Sequence, residues 1–190
     1  LLMSILGVIP GMDLKVGEML SAQQKNTVSA MTEQTDIMMA RSISLSEDIT
    51  KELNQCLTAN GKTFSDLNDN PQLIMELESA LYPSLKSALD VKYCSGVFVV
   101  LDATVNTKTE YADTSRMGIY LRLSDLKAVN TSKQHVVFFR GNADIARAEQ
   151  VQLHNRWNLE FDTSALPGYE QIMQFDGNRL VESCLWTDRL

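Results

Sequence analysis

Residues 94–125 read CSGVFVVLDATVNTKTEYADTSRMGIYLRLSD, and within this stretch the chain changes character. VFVVLD, Val97 to Asp102, is a short apolar, β-rich run that follows Gly96. Asn106 to Ser115 is polar and turn-like. Residues 116–125 then mix apolar and polar residues with a partial period of two. A short apolar run, a polar turn and an alternating run are the signature of paired strands. If the alternation holds, Met117, Ile119, Leu121 and Leu123 face a core, and Arg116, Gly118, Tyr120 and Arg122 share the opposite face.

Downstream, VVFFR (136–140) and WNLEFD (157–162) predict two more strands, and LVESCLW (180–186) a fifth. Residues 142–155 predict a short helix between strands, and 168–175 a further short element. Upstream the pattern is helical. Val16, Leu20, Val28, Met31, Met38, Leu45, Ile49, Leu53 and Cys56 keep one face of a 3.6-residue period, and no Pro or Gly interrupts residues 19–59. The reading is one helix over about 13–57, ended by Asn60-Gly61, which suits a left-handed cap. Leu73, Leu77, Leu81, Leu85 and Leu89 predict a second helix over about 71–91. Pro71 fits its first turn, with Asp69 or Asn70 as cap, and Pro83 predicts a kink or two short helices.

Helices followed by mostly antiparallel strands predict an α+β fold, with a very long N-terminal helix and a second helical segment on a sheet of about five strands. The expected organisation is an apolar start (1–12), a helical region (13–91) and a sheet region (92–190). Gly7, Pro10 and Gly11 argue against a well-formed helix in the opening LLMSILGVIPGM. Those twelve residues are too few to cross a bilayer, which takes ~20. Together with a first residue that is not Met, they suggest a piece of a longer, membrane-anchored protein.

The 190 residues carry 24 acidic and 17 basic side chains, a net charge of −7, with 44% hydrophobic residues. That composition excludes disorder as the main state and gives no broad basic face for nucleic acid. Cys56, Cys94 and Cys184 with His135 and His154 make no metal-ligand spacing, so no metal and no cofactor are expected. No nucleophile, metal-hydrolase or phosphate-loop motif occurs, so the chain is read as a non-enzyme. One cluster carries binding chemistry: Tyr111, Arg116, Tyr120 and Arg122, with Arg140, Trp157 and Asp162 on neighbouring strands. Arginine grips a carboxylate or phosphate in two-point fashion, tyrosine adds a phenol, and an aspartate holds an ammonium.

The order of elements, with CSGVFVVLDATVN (94–106), SRMGIYLRLSD (115–125), FFRGNADIARA (138–148) and LHNRWNLEFD (153–162), resembles the extracytoplasmic double Cache sensor domains of bacterial transmembrane receptors. The resemblance spans roughly residues 15–190. It implies a PAS-like sheet, a small-molecule ligand such as an amino acid, organic acid or amine, and attachment to the cell membrane through flanking helices. A second, membrane-proximal sheet would be missing or cut short. Amino-acid-sensing members carry Tyr, four residues, Arg, one residue, Trp-Tyr and a distant Asp. Tyr111, Arg116 and Asp162 match, whereas Gly118 and Ile119 stand where Trp and Tyr would be, and Tyr120 falls one place late. The implied ligand residues are Tyr111, Arg116, Tyr120, Arg122, Trp157 and Asp162. The main rival is an interaction scaffold without a pocket, homodimerised through the long helix, and a second rival is an intracellular PAS-type cofactor binder.

Overall fold

The structure is a computed structural model that describes residues 2–90, 94–124 and 135–174, with side chains from Lys15 onward. The first element is a long helix, α1 (Leu2–Ala59). The chain divides into two units, residues 1–40 and 41–190. The first lies within α1, and every residue from 15 to 34 is exposed. Thr27, Thr32 and Thr35 fold their hydroxyls back onto the carbonyls of Gln23, Val28 and Met31, at 2.9, 3.0 and 2.8 Å. The helix begins earlier than predicted and passes through Gly7, Pro10 and Gly11. An interior proline costs about 3 kcal/mol or more and a glycine about 1 kcal/mol, and α1 runs on through all three.

In the second unit α1 ends as expected at Asn60-Gly61, with Gly61 at φ +61° and the Lys62 N–H on Leu57 O at 2.9 Å. A 3-10 turn (Phe64–Leu67) follows, boxed by Thr63 and Asp66. Asn70 then caps α2 (Pro71–Leu89) by accepting from the Leu73 N–H at 3.2 Å. The leucine ladder is the buried face of α2: Leu77, Leu81 and Leu85 are fully buried. The break considered at Pro83 is absent. Its ring is exposed on the outer side of α2, so the helix loses one bond and keeps its packing.

Among the described residues six strands follow, β1 (Gly96–Val100), β2 (Ser115–Arg116), β3 (Gly118–Leu123), β4 (Val136–Arg140), β5 (Gln152–Asn158) and β6 (Phe161–Asp162), with α3 (Ala143–Ala148) before β5 and α4 (Tyr169–Met173) after β6. The main sheet runs β1-β3-β4-β5, and β2 pairs with β6 in a separate ribbon. The fold is therefore α+β. The sheet is mixed rather than wholly antiparallel, because β5 runs parallel to β4. The cause is α3, which carries the chain back along the sheet before β5 begins, as a parallel connection requires. The predicted strand 157–162 is accordingly replaced by β5, which starts at Gln152, and by the separate β6. The strand predicted over 180–186 lies outside the described residues.

The alternation read from residues 116–123 holds except at Gly118, which was expected on the outer face and is buried where β3 closes on β1. Met117, Ile119 and Leu121 are fully buried and Leu123 nearly so, while Arg116, Tyr120 and Arg122 are half-buried. The buried row meets α2, and Tyr82 of α2 stacks on Phe138 of β4 at 6.4 Å. Gly118 makes the close approach of β3 to β1. At φ +152°, a Cβ there would lie 2.0 Å from Val99 O.

Candidate ligand-binding face

One face of the sheet is packed on α2, and the other carries a row of rings. Phe161 lies 6.1 Å from Phe98 on β1, which meets Tyr120 on β3 edge-on at 5.9 Å. Tyr120 lies 5.1 Å from Phe139 on β4, and Phe139 stacks on His154 of β5 at 3.9 Å. Four rings thus cross the main sheet from β1 to β5, with Phe161 of the β2–β6 ribbon beyond Phe98, and Phe98 is 43% exposed whereas Phe161 is buried. Period-two geometry puts Phe98 and Tyr120 on one side because they are register partners.

Two arginines flank the centre of this row. Tyr120 is the register partner of Arg140, and the stem of Arg122 and the Tyr120 ring both lie against the backbone of Gly96, where a Cβ would stand 3.7 and 3.3 Å from them. Glycine at that position leaves the room that both side chains use. Arg140 Nη1 donates to the carbonyls of Phe139 and Arg156 at 2.7 and 2.8 Å, which fixes the plane of the guanidinium. Burial lowers the Arg140 pKa, and nearby Tyr120 acts the other way.

The six residues expected at a site fall in different places. Tyr120 and Arg122 are on the ringed face. Arg116 and Asp162 are neighbours through the β2–β6 ribbon, in which Ser115 pairs with Asp162 and Arg116 with Phe161. Their side chains have local work. Arg116 Nε donates to Asp102 Oδ1 at 2.5 Å and Nη1 to the carbonyls of Ala112 and Ser115, while Asp162 accepts from Ser164 N–H and Oγ–H at the start of the 3-10 turn (Thr163–Ala165). Tyr111 is 71% exposed. Trp157 donates its indole N–H to Gly141 O at 3.0 Å and so ties β5 to the end of β4.

The polar loop between β1 and β2 is clamped from four sides. Thr104 N–H donates to Asn68, Thr107 N–H and hydroxyl to Asp69, Val105 N–H to Glu160, and Arg116 closes on Asp102. The Thr107 bonds hold the Asp69 carboxyl below the usual range.

Glu78 escaped the sequence reading. It sits one turn from Ile74 and Tyr82 on the buried face of α2 and is 1% exposed. Asn142 N–H donates to its Oε2 at 2.8 Å, and Oε1 has no partner among the described residues. Burial pushes its pKa up to about 8, against the pull of the Asn142 and Gly118 N–H groups. A glutamate in the i, i+4 ladder of an otherwise apolar stripe was the available signal.

Two further concave surfaces are open ones among the described residues. One of about 610 Å³ lies along Ser29, Glu33 and Ile37, and one of about 420 Å³ along Ser46, Thr50 and Asn54. The described lining of each comes from α1 alone, whereas a ligand site buries most of its ligand. Among the described residues no three His, Cys, Asp or Glu groups converge on a metal position. Cys56 and Cys94 are free thiols, both with pKa raised by burial. No helix among the described residues is long and apolar enough to cross a membrane. Comparison with family models, with curated proteins and with solved structures gives no match to this chain.

Proposed function

We propose that this chain is a non-enzymatic small-molecule sensor module of a membrane signalling protein, held on the extracytoplasmic side, with the ringed face of the sheet as its ligand surface. The row from Phe161 to His154 carries the reading. Phe161 is buried, but Phe98, Tyr120, Phe139 and His154 stay partly exposed, and a ligand that covers these four rings gains the free energy of removing them from water. The path for a signal is short. The sheet packs on α2, and α2 is bonded to the last turns of α1 where Ser84 Oγ–H donates to Glu52 Oε1 at 2.7 Å. A ligand moves this path only to the extent that it binds two arrangements with different affinity.

The test is a thermal-shift screen of the chain against amino acids, amines, organic acids, sugars and purines. A ligand at about 100 times its dissociation constant adds about 2.7 kcal/mol, a rise of several degrees. The expected result is one chemically coherent group of hits, reduced by Phe98→Ala. A well-folded chain that no compound shifts at millimolar concentration sinks the reading. Membrane attachment is checked separately, by fractionating cells that make the full-length protein.

A second reading rests on α1. Val16, Leu20, Val28 and Met31 are 51–63% exposed, and Val28, Met31, Met38 and Leu45, spaced 3, 7 and 7, fall on a seven-residue repeat in which Thr35 and Ser42 take the intervening seam positions. An exposed helix gains most of its stability from packing, so a homodimeric scaffold joined through α1 fits this stripe. The two readings are compatible and are tested separately.

A further inference from the structure

We infer that the ligand of the ringed face is a flat aromatic anion, a ring that lies on the Phe98–Tyr120–Phe139 platform and bears a carboxylate or phosphate held beside Tyr120 by Arg122 and Arg140. This rests on the sensor reading of that face and narrows it. Three features of the face carry it together. The platform offers ring surfaces at 5.1 and 5.9 Å spacing across three adjacent strands, the arrangement on which a planar molecule stacks in offset or edge-on fashion. Two positive side chains neighbour the central ring, Arg140 opposite it on β4 and Arg122 two places along β3, in a chain that carries −7 overall. The fork of Arg140 is already oriented, because both of its described bonds use Nη1 and run to backbone carbonyls. A preset guanidinium loses little freedom when it takes a two-point anion. An aliphatic acid would leave the platform wet, and a neutral ring would make no use of the two guanidinium groups.

The experiment is ligand-observed NMR on the full chain with five probes: benzoate, indole-3-carboxylate, adenosine monophosphate, benzamide and succinate. Benzoate and indole-3-carboxylate test the carboxylate, and adenosine monophosphate tests the phosphate. Benzamide keeps the ring without the charge, and succinate keeps charge without a ring. The expected result is that at least one aromatic anion binds below about 1 mM, with benzamide and succinate at least tenfold weaker. Arg122→Gln should weaken the aromatic anion by about tenfold or more and leave benzamide unchanged, because it removes a charged two-point donor. Arg122→Lys separates two-point geometry from charge, and far-ultraviolet circular dichroism confirms that each variant is folded. If benzamide or succinate binds as well as the aromatic anions, the ligand class is wrong while the sensor reading stands. If the class is wrong because the ligand is of another kind, the broad thermal-shift screen still returns a hit reduced by Phe98→Ala. If that screen also returns none, both readings fail together.

Discussion

Glu78 is the residue whose chemistry is most displaced by the fold. Its carboxyl titrates near 8 in the folded chain and near the ordinary 4.5 when unfolded. Between those values the folded chain holds a proton that the unfolded chain has released. Stability from this group is therefore full below about pH 4.5, falls as pH rises towards 8, and is spent above it. At about 1.36 kcal/mol per pH unit the ceiling of the loss is roughly 5 kcal/mol. Glu78→Gln keeps an acceptor for the Asn142 N–H and cannot ionise. Urea unfolding of the two proteins should give similar midpoints at pH 4 and a clearly higher midpoint for the variant at pH 9. Equal midpoints at both pH values would show that the carboxyl does not titrate inside the core. Gly118 is the steric counterpart. In Gly118→Ala the new methyl meets the Val99 carbonyl at 2.0 Å, and the φ of +152° is one that alanine rarely adopts. Backbone cannot yield there as a flexible side chain would, so we expect a loss of about 3 kcal/mol or more. Thermal unfolding should record it as a melting point lower by about 6–12 °C.

At the scale of elements, what was legible in the sequence depended on how each element divides its surface between core and solvent. α2 was legible because one stripe of leucines is buried and the rest is wet, and β3 because its two faces differ in kind. β5 was not. It is an edge strand whose Gln152, Leu153, Asn155 and Arg156 are all exposed, so no alternation marked it, and its start was set by the turn out of α3. The arginine and tyrosine of β3 could be named as a pair from period two alone. Their partners Phe98 and Phe139 could not, because cross-strand neighbours are fixed by register, which the sequence does not spell out. Arg116 and Asp162 matched a spacing pattern, yet their side chains are bonded within their own loops. For α1 the prediction concerns association. Light scattering on the chain should report a dimer if the Val28–Met31 stripe is a seam, and Met31→Glu should shift it to monomer. A chain that is monomeric at micromolar concentration removes the scaffold reading.

At the scale of the whole molecule, the α+β order of helices then sheet followed from composition and period, while the mixed sheet followed from one six-residue helix, α3. The two outer strands of the main sheet are unequal. β5 presents Gln152, Asn155 and Arg156 along its length, polar groups that discourage another strand from adding. β1 is Gly-Val-Phe-Val-Val, is paired only with β3 among the described residues, and holds its Phe98 partly in water. Such a segment has the β-branched, uncharged composition of fibril-forming peptides. Conditions that loosen β1 from its surroundings would therefore convert this chain into a template for ordered aggregates, and growth would proceed from one side of the sheet only.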